Sequence, residues 1–320
     1  MTGSRWATLD DSSLDSWLAG LSDREAAALE AALRADLPWT PNPGPQVAAY
    51  LTPADELYFG GAAGGGKSQV CIGLALTQHR DSLLLRRRLV DTKALSKALQ
   101  DLGYGRWKWS GSGGELRTPD GRRVEVGGCE HEDDKAKWQG NPHDGLFFDE
   151  LPQFTRSQYE FIIGWNRPAN PRRYPNLRCR VVGAGNPPTD PGGEWVFDRW
   201  RAWLAPTAGA KAAPGELRWY TTVAGKEEEC PDGRPLVHKG LTYAPRSRTF
   251  IPARLEDNPD LLKTGYAATL EAMPEPLRSM LRFGDMAAAR QDDRWQVIPS
   301  RWVALAQRRW VARVTEGGAR

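Results

Sequence analysis

Cysteine is scarce: the 320 residues contain four, Cys71, Cys129, Cys179 and Cys230, and none belongs to a CxxC pair. That excludes a disulfide framework and a zinc ribbon, and buried thiols are expected at all four positions. Long apolar runs are missing as well. No uninterrupted stretch approaches the roughly 20 residues that cross a bilayer, and the opening MTGSRWATLDDSSLDSW carries no apolar signal-peptide region. A soluble, cytoplasmic chain with no membrane partner is expected. Nor is there a large excess of either charge. With 43 Lys and Arg against 40 Asp and Glu the formal net charge is +3, too little self-repulsion to keep a chain unfolded. The 14 Trp, 8 Tyr and 8 Phe within a 40% hydrophobic fraction can fill the core of one large or two medium domains.

The charge that is present lies unevenly. Residues 1–36 hold three arginines against seven carboxylates, which leaves the remainder basic. Its arginine groups, Arg86 to Arg88, Arg172 and Arg173, Arg246 and Arg248, and Arg308 and Arg309, are interleaved with Trp and Tyr. Such a pattern suits a phosphate backbone or, equally, the solvated face of an arginine-rich protein.

Ser22 and Glu25 form a capping box ahead of Leu29, Leu33 and Leu37 at spacing four, so residues 1–37 read as an acidic, helical N-terminal segment. PWTPNPGPQ (38–46) then makes a stiff linker. From Glu56 short apolar runs alternate with helical stretches. ELYFG (56–60), SLLLR (82–86), RVEVGG (123–128), GLFFDE (145–150) and LRCRVVGAG (177–185) read as strands, with helices after Lys67 and over Thr92 to Leu102. Thr155 and Gln158 form a second capping box, stapled by Phe154 and Tyr159, so a helix leaves directly after GLFFDE. Residues 205–217 read as a loop. Tyr266, Leu270, Met273, Leu277 and Leu281 lie on a helical stripe broken by Pro274 and Pro276, predicting two short helices packed on the core. Strands alternating with helices imply an α/β fold with a mostly parallel sheet.

One segment carries recognisable chemistry. Gly61, Ala62, Ala63, Gly64, Gly65, Gly66, Lys67 and Ser68 fit GxxxxGK[ST] between a strand and a helix. Glycines let the amides turn inward onto phosphate oxygens, Lys67 reaches the terminal phosphates, and Ser68 can ligate Mg²⁺. Asp149 and Glu150 end the GLFFDE strand. If that strand neighbours the P-loop strand, Asp149 lies beside Ser68 and holds Mg²⁺, while Glu150 can deprotonate the attacking water. A nucleotide kinase needs no such glutamate, so the pair points to a P-loop nucleoside triphosphatase. Asn186 is either a γ-phosphate sensor or an Asn-Pro turn. Gln46 either contacts the adenine edge or is an exposed loop glutamine. The basic stretch from Tyr104 to Arg123, with Arg106, Lys108, Arg117, Arg122 and Arg123 around a Gly-rich turn, is either a DNA-facing hairpin or one that packs Trp107 and Trp109 on the core.

Taken in order, WTPNPGPQ, YFGGAAGGGKS, LLLRR, KWQGNPHDGLFFDELPQFTRSQYEF, GAGNPP and YAATLEAMPEPLRSMLRFGD resemble the ATPase part of the large terminase subunit of tailed bacteriophages, over roughly residues 38–305. The resemblance implies a motor in the host-cell cytoplasm that drives double-stranded DNA through a portal into a procapsid. It also implies a small terminase subunit as partner and a homo-oligomeric ring on the portal. It assigns Gln46 to adenine, Gly61 to Ser68 to phosphates and Mg²⁺, Asp149 to Mg²⁺, Glu150 to the base, and Asn186 to coupling. It divides the chain into an ATPase core (38–255), a helical lid or linker (256–290) and a connection (291–320) to a nuclease domain that these residues do not provide. Ala62 and Ala63 stand where some family members carry an arginine. The missing charge is then expected from a neighbouring subunit, with Lys135, Lys137 and Arg167 as candidates. Another DNA-directed P-loop ATPase, such as a helicase or recombination motor, and a nucleotide-binding assembly component without turnover are the alternatives.

Overall fold

The computed structural model describes residues 37–286 apart from 104–106, 112–113 and 205–211, together with a few single positions outside that range. The expected helix after Ser22 and the connecting segment 291–320 lie outside the described residues, isolated positions excepted. After α1 (Pro45–Leu51) the chain forms β1 (Glu56–Gly61), α2 (Lys67–Thr77), β2 (Asp81–Arg86) and α3 (Thr92–Gly103). The hairpin of β3 (Lys108–Ser110) and β4 (Glu115–Arg117) leads into β5 (Arg123–Gly128). Next come β6 (Gly145–Asp149), α4 (Arg156–Ile163), β7 (Arg180–Gly185), α5 (Trp195–Arg199) and α6 (Arg201–Leu204). The last third contains β8 (Arg218–Val223), β9 (Lys226–Cys230), a separate pair β10 (Leu236–His238) and β11 (Leu241–Tyr243), and β12 (Arg246–Ala253). It ends in three short helices, α7 (Pro259–Leu262), α8 (Tyr266–Glu271) and α9 (Leu277–Phe283).

Ten strands join in the order β3-β4-β5-β2-β6-β7-β1-β12-β8-β9. The six from β5 to β12 are parallel, and antiparallel strands finish both edges. β1, β6 and β7 are buried along their whole length, as parallel strands covered on both faces must be. One face packs Val70, Leu74, Leu95 and Leu99 of α2 and α3 on Phe59, Phe147 and Val182. The other packs Tyr159, Ile162 and Trp200 on Tyr58, Phe148 and Val181. Among the described residues no helix is long and apolar enough to cross a membrane.

Three expectations are corrected. β6 does not neighbour β1, because β7 pairs with both and lies between them. Cys71 and Cys129 are buried, but Cys179 and Cys230 are only half-buried, since one sits at the entry to β7 and the other on the edge strand β9. The two short helices expected on either side of Pro274 and Pro276 are present as α8 and α9, with Leu270 and Met280 buried and Leu277 exposed. The two prolines reset the helix phase between them. In the basic hairpin, Arg123 is held by Asp81, Glu115 and Glu125, and Arg122 by Asp120 and the carbonyl of His79. These two arginines are therefore committed inside the fold, Trp107 and Trp109 pack against the core, and Arg106 lies outside the described residues.

The amino end of β1 is fixed by a buried charge cluster. Arg199 Nε donates to Glu56 Oε1 at 2.5 Å and Arg248 Nε to Oε2 at 3.0 Å, with the Tyr159 hydroxyl as a third donor. Burial opposes ionisation of Glu56, but the two guanidiniums outweigh it and hold the carboxyl well below the usual range. Removing the carboxylate strands two buried cations. Glu56→Ala should therefore cost about 3–5 kcal/mol in denaturant unfolding at neutral pH. Because the folded-state pKa is depressed, the wild-type advantage is present above the unfolded value of about 4.3 and should shrink as pH falls below it.

Candidate active site

The loop between β1 and α2 is shaped by its surroundings as much as by its glycines. Gly66, the residue before α2, has φ +75°, and a Cβ there would fall 2.3 Å from Nε2 of Gln46. Gly64 has φ +84° and a Cβ would meet Leu255 at 2.6 Å, while its carbonyl accepts from Asn258 Nδ2 at 2.8 Å. The Ala62 amide donates to the carbonyl of Ala253 at 2.9 Å and the Ala63 amide to that of Leu281 at 2.7 Å. The front of the loop is thus anchored to β12 and α9. The amides left to face a ligand run from Gly64 to Ser68, ending in the first turn of α2, where helix geometry leaves them without partners. Lys67 is buried and donates to the carbonyl of Ala62 across the loop. Burial pushes its pKa down to about 8 despite the nearby Glu150 and Asp149.

Asp149 reaches this loop although a strand intervenes. Ser68 Oγ donates to its Oδ1 at 3.0 Å. Its Oδ2 accepts from Arg86 Nε at 2.7 Å and lies 2.5 Å from a terminal nitrogen of the same guanidinium. A hydroxyl and a carboxylate are hard oxygen donors, the set that holds Mg²⁺ when phosphates and waters complete an octahedron. Among the described residues no group of three or more His, Cys, Asp and Glu side chains could hold a metal ion by itself.

Glu150 lies just past the strand, in a left-handed conformation with φ 59°. A non-glycine residue held there stores roughly 1–3 kcal/mol of strain. The turn redirects the chain into α4 and sets the carboxylate toward Lys67, Arg86 and the backbone amide of Asn186. Burial first, and then Asp149, raises its pKa, so the group is a stronger base than a carboxylate in water and is suited to take a proton from a water molecule. Asn186 follows β7, the strand between β1 and β6. Its carbonyl accepts from the Tyr58 hydroxyl at 3.3 Å, and its buried side-chain Oδ1 meets no hydrogen-bond partner among the described groups. Gln46 is buried in the first turn of α1 rather than exposed in a loop, with Oε1 accepting from the Asn42 amide at 2.9 Å and Nε2 set against Gly66.

The structure therefore brings Gln46, the loop, Lys67, Ser68, Asp149, Glu150 and Asn186 to the carboxyl edge of the sheet. It adds groups that the motifs did not single out: Arg86, Asn258 and the Leu281 carbonyl. For Arg86 the signal was present, an arginine ending the buried run SLLLR, but its meaning needed the pairing of β2 with β6. Lys135 and Lys137 occupy a short turn after β5, paired with Glu132 at 2.6 Å and Asp134 at 2.7 Å. Arg167 sits at the opposite edge, its amide bonded to the His143 carbonyl at 3.0 Å, because α4 has carried the chain back across the sheet. Gly66→Ala should lose about 1–2 kcal/mol in thermal unfolding, the cost of a left-handed Cβ. By displacing Gln46 it should also weaken nucleotide binding at least tenfold (~1.4 kcal/mol) in a titration.

No family model and no curated protein matches this chain. Among solved structures it is similar to a large terminase from a thermophilic bacteriophage, with 13% identity, a TM-score of 0.47, and coverage of 77% of this chain and 53% of that one. A form of that terminase in complex with ATP-gamma-S is similar at 12% identity and a TM-score of 0.47, over 76% and 52% of the two chains. The large terminase ATPase domain of Thermus phage P74-26 is similar at 12% identity and a TM-score of 0.46, over 82% of this chain and 97% of that domain. The chain spans about half the length of the first of these proteins.

Proposed function

We propose that this chain is an ATP-hydrolysing motor domain of the large-terminase type, which couples hydrolysis to movement of double-stranded DNA through a portal into a procapsid. The observation that carries the reading is the 3.0 Å contact of Ser68 with Asp149, with Glu150 held next to it in a strained turn. Binding alone does not require that third group. In this reading residues 38–255 form the catalytic core and 256–290 a lid over the loop. The amides from Gly64 to Ser68 hold the phosphates, Lys67 the terminal ones, and Gln46 lies toward the base. Ser68 and Asp149 hold Mg²⁺, which when bound would neutralise charge on the phosphates. Glu150 orients a water and takes its proton, and Asn186, with its unpartnered Oδ1, couples the site to β7. A portal, a procapsid, a small terminase subunit and a ring of identical subunits are the partners that this reading implies.

Glu150→Gln should bind ATP as the wild type does while turnover falls about 10²- to 10⁴-fold, the weight of a positioned base. Lys67→Ala should differ by losing triphosphate affinity as well. A steady-state assay beside a binding titration separates the two, and unimpaired turnover in Glu150→Gln would remove the hydrolytic reading in favour of a static assembly component.

For the DNA track this reading favours another basic group over the hairpin, whose Arg122 and Arg123 are held by carboxylates. Arg172 and Arg173 are exposed, and the guanidiniums of Arg80 and Arg173 flank the Tyr174 ring at 5.7 and 5.4 Å, on the edge opposite the nucleotide site. Replacing Arg172 and Arg173 together by Ala should leave basal ATPase intact and weaken duplex DNA binding. The logarithmic salt slope should fall by about 0.9 for each phosphate that is no longer neutralised, read by titration at several salt concentrations.

A further inference from the structure

The P-loop carries no arginine, since Ala62 and Ala63 fill those positions, yet a developing charge on a terminal phosphate needs a cation besides Lys67. The family resemblance implies one from a neighbouring subunit. The structure offers one in the same chain. Arg86 ends β2, the strand beside β6, and its side chain is only 20% exposed. Its guanidinium grips Asp149 Oδ2 through two nitrogens and already extends to 3.5 Å from Ser68 Oγ. It therefore occupies the corner between the hydroxyl that closes the P-loop and the two carboxylates. Two other arginines are committed elsewhere: Arg282 is 2.6 Å from Glu256, and Arg87 bonds the Cys129 carbonyl at 2.9 Å and the Gln158 side chain. Arg254, whose backbone lies beside Gly65, has an exposed side chain and does not reach Asp149 or Ser68 in any hydrogen bond or ion pair among the described residues.

Asp149 cannot serve Arg86 and a cation equally well. A divalent ion placed between Ser68 and Asp149 repels a guanidinium on the same carboxylate, and at such short range like charges disfavour one another by several-fold in affinity or more. We propose that Arg86 is an in-chain sensor of the terminal phosphate: when Asp149 is committed to a cation, the guanidinium turns from Asp149 to the third phosphate of the nucleotide. Its planar fork suits phosphate oxygens as it suits a carboxylate, and Arg86 then carries the charge that the loop lacks. This rests on the ATP-hydrolysing reading above, and it makes the cation of the site a property of each subunit alone.

The test compares Arg86→Ala and Arg86→Lys with the wild type in titrations of ATP and ADP, each with and without Mg²⁺, beside thermal melting of the free proteins. A sensor touches only the third phosphate. Arg86→Ala should therefore lose at least tenfold in affinity for ATP with Mg²⁺ while its affinity for ADP stays within about threefold, and Arg86→Lys should recover part of the ATP preference. Specific ATPase activity of the wild type should also stay flat on dilution. A parallel loss for ATP and ADP, or an unchanged ratio between them, overturns the proposal and leaves Arg86 as a brace for Asp149. Lack of any nucleotide binding by a wild-type chain that melts cooperatively would overturn the ATP reading itself and the sensor with it.

Discussion

The chemistry of this molecule depends on one carboxylate held in two directions. Asp149 accepts from Ser68 through one oxygen and from Arg86 through the other, so it joins the helix that follows the P-loop to the strand on its far side. A parallel sheet makes this arrangement available because its carboxyl ends collect loops from several crossovers along one edge. Here the ends of β1, β2, β6 and β7 supply the loop, Arg86, Asp149 with Glu150, and Asn186 respectively. Although β7 lies between β1 and β6, Asp149 still reaches Ser68 at 3.0 Å, and Asn186 follows the strand between them.

Two further constraints keep this edge in register. At the opposite end of β1, Glu56 gathers Arg199, Arg248 and Tyr159, tying α4, α5 and β12 to the strand that carries the loop. On the carboxyl side, the Leu281 carbonyl and Asn258 bind the loop backbone at Ala63 and Gly64. The loop is therefore held to the segment after β12 through hydrogen bonds as well as apolar contact, and that segment cannot shift without breaking bonds to the loop.

Electrostatics within the site run against solution values in a consistent direction. Burial makes the Lys67 ammonium a stronger acid and the Glu150 carboxylate a stronger base, the two shifts expected of groups kept from water. The strained turn at Glu150 belongs to the same arrangement: the backbone bends where β6 ends, so that the adjacent side chains of Asp149 and Glu150 meet different partners.

The sequence by itself determined many of the elements and the motifs that meet at the candidate site. Strand and helix runs from Glu56 to Gly185 were legible because buried parallel strands leave short apolar runs and the capping box at Thr155 is local, and the P-loop was legible because backbone geometry there demands its glycines. The edge region from Arg218 to Tyr243 was not, since exposed strands such as KEEEC show no apolar periodicity. Strand order was also hidden: nothing in GLFFDE or RVVGAG states which of them adjoins β1, because both strands are buried along their length and their neighbours are chosen by packing at long range. For the same reason only the tertiary structure decided the fate of the arginines. Arg122, Arg123 and Arg199 look as free in sequence as Arg172 and Arg173, yet the fold commits the first three to carboxylates. It likewise sets Arg86 on Asp149, because an ion pair between residues 63 positions apart exists only once β2 and β6 lie side by side.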